Sequence, residues 1–341
     1  MLTEKEVAKI RDELDHCNKP LFLFDDDPDG VSSFLLMYRY KKEGKGVLVK
    51  TNPKIDDKFL KYVEEYGPDK IFIMDIAEVE QEFLDKVHLP VIWIDHHELA
   101  ERSKVHYFNP RKHGSNEPTS YLCYQVVQQD LWIAMAGIVG DWYYPKELAE
   151  QFRKEFPGLL PEHIATPDDA LFETELGNLI RILAFALKGS TKNANTCVKI
   201  LTRIQHPDEL LKSTTPAGQY IRRQIKDMYE EYDMLLKEAL KQKVDKILAY
   251  TYPSTNTSYT GELANELLHR FPSKVVLIGR KKSGEVRCSL RSPKAINIRD
   301  IMQAAIQGLP GAYGGGHEQA CGVCVKEEDF PEFVRRLEEN I

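Results

Sequence analysis

Three short apolar runs in this chain end on aspartate: Leu21 to Phe24 before Asp25, Ile71 to Met74 before Asp75, and Val91 to Ile94 before Asp95. Taken singly, each aspartate reads as the cap of a following helix. In one parallel sheet, however, groups at the carboxyl ends of strands gather along a common edge, so three such acids point to a shared site. The first run continues as Asp25-Asp26-Asp27-Pro28-Asp29-Gly30. Its alternating Asp25, Asp27 and Asp29 would crowd several carboxylates into a small volume, with Asp26 as a bystander. Such crowding is unfavourable unless cations neutralise it, and hard divalent ions with oxygen ligands are the expected partners. The third run continues as Asp95-His96-His97, and imidazole among oxygen ligands favours Mn²⁺ or a similar transition ion over Mg²⁺ held by oxygen alone. Two ions set ~3.5–4 Å apart could activate a water and stabilise the leaving oxygen of a phosphoester.

The elements needed to hold these acids are legible in the hydrophobic rhythm. Helix-like stretches near 3–16, 31–43, 57–66 and 78–86 alternate with strand-like runs at Leu21–Phe24, Gly46–Lys50, Ile71–Met74 and Val91–Ile94. That alternation predicts an α/β domain with a largely parallel sheet. From about residue 118 to 205 the pattern becomes mostly helical, punctuated by Pro157, Pro161 and Pro167. A long charged amphipathic helix over 216–245 suits a connector. Residues 247–341 alternate again as a smaller α/β module. The expected division is 1–213, with the helical part from about 118, then a connector over 214–246 and a second domain over 247–341.

A chain of 341 residues exceeds what one ordinary core fills, in keeping with two domains. The start, MLTEKEVAKIRDEL, is too charged for a signal peptide, and no apolar run approaches the ~20 residues that span a bilayer. A cytoplasmic protein without a membrane segment is expected. Six scattered cysteines fit a reducing compartment, and the Cys321-x-x-Cys324 pair reads as buried thiols on a strand rather than a zinc or redox site. The net charge of −7 does not advertise a nucleic-acid binder. One stretch runs against it: Arg280, Lys281, Lys282, Arg287, Arg291 and Lys294 accompany the single acid Glu285. It reads as a solvated hairpin or a phosphate-facing patch.

Over nearly its whole length the chain resembles the DHH phosphoesterase superfamily, with four motifs in order. Asp25-x-Asp27-x-Asp29-Gly30 resembles the first in its nuclease form, Asp75 the second, Asp95-His96-His97 the third, and Asp141 in GIVGDW the fourth. The resemblance implies that Asp25, Asp27 and Asp75 hold one metal, and that Asp29, Asp75, His96 and Asp141 hold the other, with Asp75 shared. It implies that Asp95 stands behind the ligands and accepts the other N–H of an imidazole. His97 would contact the scissile phosphate or assist the leaving group, and the nucleophile would be a hydroxide between the metals rather than a side chain. Two Mn²⁺ are expected, with Mg²⁺ or Co²⁺ as alternatives.

In the second half, Gly314-Gly315-Gly316-His317 resembles the glycine-rich signature of the DHH-associated C-terminal domain. Consecutive glycines let backbone N–H groups approach a phosphate closely, and a neighbouring histidine can donate to it. Without the other motifs the same run reads equally as a flexible turn after Pro310-Gly311. Ser289, Arg291 and Ser292 resemble that domain's substrate-gripping segment, where the planar guanidinium suits phosphate. Glu318 and Cys321 depart from the proline and alanine expected after the histidine.

The resemblance therefore implies a RecJ-like exonuclease acting on single-stranded DNA or RNA. Alternatives are a nanoRNase or a nucleotide phosphatase acting on short oligonucleotides, pAp or cyclic dinucleotides, and a non-catalytic replication scaffold. The scaffold reading is disfavoured because every metal position carries a competent ligand. A protein partner could dock on the helical subdomain. The sequence leaves open DNA versus RNA, cleavage polarity, preferred length and oligomeric state.

Overall fold

The computed structural model describes residues 1–50, 54–254 and 257–341. Two compact units divide at Ile225 and Lys226. The first unit opens with α1 (Glu4–Asp15), β1 (Pro20–Asp25), α2 (Pro28–Lys41), β2 (Lys45–Val49) and a short β3 (Lys54–Ile55). It continues through α3 (Leu60–Tyr66), β4 (Lys70–Met74), β5 (Glu78–Val79), α4 (Gln81–Lys86), β6 (Val91–Ile94) and β7 (His106–Phe108). Seven helices follow: α5 (Thr119–Val127), α6 (Leu131–Gly140), α7 (Lys146–Glu155), α8 (Pro167–Glu173), α9 (Glu175–Leu187), α10 (Thr191–Leu201) and α11 (Pro207–Leu211). The alternating half and the helical half are thus where the sequence puts them.

The main sheet has the order β2-β1-β4-β6-β7 and its pairings are all parallel. Because β1 lies between β2 and β4, the chain leaves β1 in both directions across the sheet. The carboxyl end of β1 is therefore a topological switch point, where open α/β sheets bind ligands. Strand β1 is buried on both faces, as its unbroken apolar run requires. Leu21 and Leu23 join Ile71, Ile73, Phe83 and Trp93 in one core layer. On the opposite face Phe24 stacks on Phe34 of α2, with ring centroids 4.4 Å apart and planes 7° apart.

Local chemistry fixes the turn at the switch point. Asp27 is the N-cap of α2, accepting from the Gly30 amide at 2.8 Å, and Pro28 follows with φ preset for the first turn. The helix thus begins three residues earlier than the expected residue 31. A Cβ on Gly30 would sit 2.6 Å from the Asp25 carbonyl oxygen and 2.8 Å from its nitrogen. Glycine is what allows α2 to start this close to the end of β1.

Helix α12 (Pro216–Ala239) crosses from the first unit into the second and ends six residues before the expected 245. Its second half is part of the second unit, since the Tyr232 hydroxyl donates to buried Glu266 at 2.7 Å. That unit continues with β8 (Ile247–Pro253), α13 (Thr260–Arg270), β9 (Val275–Lys282), β10 (Glu285–Arg291) and α14 (Ile298–Ile306). It closes with β11 (Tyr313–Gly316), β12 (Ala320–Lys326) and α15 (Phe330–Asn340). Its sheet runs β11-β12-β10-β9-β8, antiparallel except for the β8–β9 pair.

The hairpin β9–β10 turns through Ser283 and Gly284, both left-handed, with φ of 54° and 78°. It carries the basic stretch and neutralises part of it: Lys281 pairs with Glu327 at 2.8 Å and Arg287 with Glu285 at 3.2 Å. All six cysteines are free and buried, including Cys321 and Cys324 on β12. No helix among the described residues is long and apolar enough to cross a membrane.

Candidate metal centre

The ends of β1, β4 and β6 and the C-terminus of α6 bring the acids of the first unit together. Asp25, Asp27 and Asp75 each offer an oxygen within 4.8 Å of the others'. Asp29, His96 and Asp141 form a second such group, and Asp75, His96 and His97 a third. Asp75 joins the first group to the histidines: its Oδ1 is 3.5 Å from His96 Nε2, which in turn lies 3.6 Å from Asp141 Oδ2. Asp75 is left-handed, with φ of 57°, a conformation that aspartate and asparagine tolerate better than most side chains.

Several of these groups are held by residues that the sequence did not single out. Asp29 is buried and accepts from the amides of Thr119 and Ser120, each at 2.8 Å, and from the Ser120 hydroxyl. Those amides are the unpaired donors at the start of α5, whose positive end favours a carboxylate. Thr119 Oγ1 also donates to Asp75 Oδ1 at 3.3 Å. Asp95 is fully buried, and its Oδ1 is 2.8 Å from His97 Nδ1. Its Oδ2 accepts from the His97 amide at 3.1 Å and from the Tyr107 hydroxyl at 3.2 Å.

Asn109, also fully buried, donates to the His97 carbonyl at 2.9 Å, and Arg111 Nε donates to the His96 carbonyl at 2.8 Å. Strand β7 and the turn after it thus brace both histidines. The sequence offered a weak signal for them: His106-Tyr107-Phe108 is short, half exposed and easily passed over as a loop.

The electrostatics ask for positive charge. Burial, then the charge of Asp27, raises Asp25 from 3.8 to about 7. Burial and the charges of Asp29 and Asp27 raise Asp141 to about 9. Burial raises Asp29 to about 6 even though Ser120 and Thr119 pull it back. Asp27 is raised by burial and by Asp29, and Asp75 is raised well above its ordinary value by burial and by Asp29, Asp27, Asp95 and Asp141.

Burial, then the neighbouring His97, lowers His96 to about 4, so the ring is neutral at pH 7, the form a metal binds. His96 Nδ1 is buried and meets no hydrogen-bond partner among the described residues. A neutral imidazole whose Nε2 faces Asp75 and Asp141, carboxylates that resist ionisation, fits a donor set built for cations. His97 differs, since its hydrogen bond to Asp95 raises its pKa.

The residues singled out in the second unit lie at the end of β10 and along β11. Arg291 Nε donates to Asn265 Oδ1 at 2.5 Å and Nη1 to the Leu290 carbonyl at 2.9 Å, while Ser289 Oγ donates to Thr260 Oγ1 at 3.0 Å. Among the described residues nothing accepts from Arg291 Nη2, which lies beside Gly261 near the start of α13. Ser292 is buried and its hydroxyl donates to the Ile296 carbonyl at 2.8 Å, a structural bond.

The glycine run is strand, not a flexible turn. Gly314, Gly315 and Gly316 pair with Val323, Gly322 and Cys321. A Cβ on Gly314 would meet the Gly322 carbonyl oxygen at 2.7 Å, and one on Gly316 would meet that of Ala320 at 2.3 Å. Two of the three glycines are thus required by close strand approach, while Gly315 faces open space. His317 is exposed, and its amide donates to the Ala320 carbonyl at 2.8 Å.

Residues 21–154 match the DHH family, N-terminal domain, and residues 245–341 match the DHHA1 domain. The single-stranded-DNA-specific exonuclease RecJ of Salmonella typhimurium is 25% identical over 137 residues, 39% of this chain and 24% of that protein. The chain thus matches less than a quarter of that relative's length. Among solved structures, RecJ in complex with Mn²⁺ from Thermus thermophilus aligns with a TM-score of 0.64 at 16% identity, covering 98% of this chain and 54% of that one. An exonuclease RecJ bound to manganese aligns with a TM-score of 0.56 at 16% identity, covering 98% of this chain and 93% of the other. At these identities the structural likeness is one of fold.

Proposed function

Because this chain belongs to the DHH superfamily, we propose that it is a RecJ-like, metal-dependent phosphodiesterase that hydrolyses single-stranded DNA or RNA. The observation that carries the reading is the convergence of five carboxylates and His96 at the sheet's switch point, where the acids resist ionisation and the imidazole stays neutral. Asp25, Asp27 and Asp75 would hold one ion. Asp29, Asp75, His96 and Asp141 would hold a second, with Asp75 common to both. The imidazole among the oxygens favours Mn²⁺ or a similar transition ion such as Co²⁺ over Mg²⁺ held by oxygen alone. Bound divalent cations would neutralise charge on the phosphate and lower the pKa of a water for in-line attack.

The chain's own residues would do the rest. Asp95 holds the Nδ1 side of His97 and raises its proton affinity, which leaves Nε2 as the nitrogen able to carry a proton to the departing oxygen. Tyr107 and Asn109 fix that carboxylate and the His97 backbone, so the ring need not be ordered at the moment of reaction. Arg291 Nη2 and Gly315 in the DHHA1 domain would grip a phosphate that is not being cut, by a planar cation and an open backbone respectively.

The test is incubation of the purified chain with Mn²⁺ and end-labelled single-stranded DNA and RNA of graded length. Mononucleotide release from one end, abolished by EDTA and restored by Mn²⁺, is the expected result. Release confined to strands of a few nucleotides would assign the protein to oligonucleotide clearance. No cleavage of any phosphodiester with any divalent cation would end the reading.

A further inference from the structure

Trp142 follows Asp141 where α6 ends, and its backbone is in the wrong place for a tryptophan. The helix closes with a Schellman arrangement: the Trp142 amide donates to the Val139 carbonyl at 3.0 Å and the Tyr143 amide to the Ile138 carbonyl at 3.1 Å. That closure needs a left-handed residue at 142, and φ there is 60°. The position belongs to glycine, then asparagine, and a bulky aromatic at positive φ is an outlier.

Burial does not account for the choice. Trp142 is 46% exposed, whereas Trp93 and Trp132 are 0% and 2% exposed. Its ring is braced from the side by Phe172 of α8, with centroids 6.0 Å apart and planes at 57°. The sequence therefore holds a large, wet indole at a strained position directly after a carboxylate of the metal cluster. Strain kept beside a site, where a smaller residue would relieve it, argues that the side chain is what matters.

We infer that Trp142 is a stacking platform for a nucleobase of the bound strand, adjacent to the phosphate at the metal centre. The inference rests on the reading of that centre as a nuclease site. Every base presents a π-face, so a platform of this kind grips a strand without selecting its sequence. Phe172 supports the indole and limits its swing, so less freedom is lost when a base docks. Trp142 is a positioning residue that holds the nucleotide while other groups act on its phosphate.

Because the other two tryptophans are buried, solvent-exposed indole emission reports on Trp142. The full chain in Ca²⁺ is titrated with an oligothymidylate and with an abasic strand of equal length, following fluorescence and affinity. Saturable quenching by the oligothymidylate, weaker with the abasic strand, is expected. Trp142→Gly should weaken binding of the base-bearing strand by about tenfold to a hundredfold, raising KM far more than it lowers kcat. Trp142→Phe should recover most of the loss. Glycine also relieves the left-handed strain, so the thermal midpoint of Trp142→Gly should hold or rise.

A lower midpoint without loss of strand affinity would make Trp142 a packing residue and overturn the inference. Cleavage of single strands with an unaltered ratio of base-bearing to abasic affinity in Trp142→Gly would overturn it while leaving the nuclease reading intact. Failure of the wild-type chain to bind or cleave any single strand would overturn both.

Discussion

Asp95 Oδ1 lies 2.8 Å from His97 Nδ1, and the same carboxylate accepts the His97 amide, so one buried acid sets both the ring and the backbone of the residue assigned to the leaving group. Asp95→Asn should leave the fold in place and lower kcat on the order of 10²-fold. Asp95 raises the proton affinity of His97, so its loss should move the basic limb of the pH–rate profile to lower pH. A nitrophenyl leaving group, which needs no proton, should suffer much less. An unshifted basic limb would remove His97 from proton transfer.

Asp75 lies within ligand reach of Asp25 and Asp27 on one side and of His96 and His97 on the other. Asp75→Asn keeps a side chain that tolerates the left-handed backbone but deletes the shared charge. Metal content measured on the dialysed protein should fall from the proposed two ions per chain to one or fewer, with turnover down by at least about 10³-fold. Near-normal activity would show that the sharing assigned to Asp75 is wrong.

The metal-free protein should become less stable as pH rises. The folded pKa values of Asp25, Asp29 and Asp141, at about 7, 6 and 9, lie above the ordinary 3.8, so the folded state keeps protons that the unfolded chain releases. Stability is then full below pH 4 on their account and is lost progressively until about pH 9. His96, lowered to about 4, acts oppositely between pH 6.5 and 4, but it is one group against several acids. In EDTA, Tm should fall on the order of 10 °C between pH 6 and 9. Mn²⁺ should flatten that slope, because bound cations remove the cost of ionised acids. An EDTA-treated protein whose Tm rises over the same range would contradict the assigned electrostatics.

Arg291→Ala should raise KM about tenfold with kcat within a factor of about three, since a non-scissile phosphate is gripped alike in ground and transition states. The log–log salt dependence of strand binding should flatten by ~0.7. Because Arg291 also bonds Asn265 and the Leu290 carbonyl, a melting curve must accompany the kinetics. An unchanged KM and salt slope would remove Arg291 from the phosphate grip.

What the sequence made legible follows from which interactions are local. Asp25, Asp75 and Asp95 could be placed on one edge because each ends an apolar strand run, and the sheet's parallel order did the rest. The partners of Asp29 could not be placed, because Thr119 lies 90 residues away and nothing in its neighbourhood marks an amide turned toward an acid. Tyr107 and Asn109 escaped notice because a three-residue edge strand carries too little periodicity. The glycine run was ambiguous for a different reason. A glycine needed for close strand approach and one needed for a turn look the same in sequence, and at Gly314 and Gly316 close approach is what the structure shows.

The bond from Asp29 to the start of α5 also has a meaning for how the protein comes into being. During synthesis Asp25, Asp27 and Asp29 leave the ribosome some 90 residues before the two amides that hold Asp29 in place. A nascent chain arrested ahead of Thr119 therefore carries the acids without their anchor and without Asp141. On the proposed reading, the whole ligand set, with Asp29 anchored and Asp141 present, would exist only once synthesis has passed the end of α6, so metal uptake would come after that point in translation.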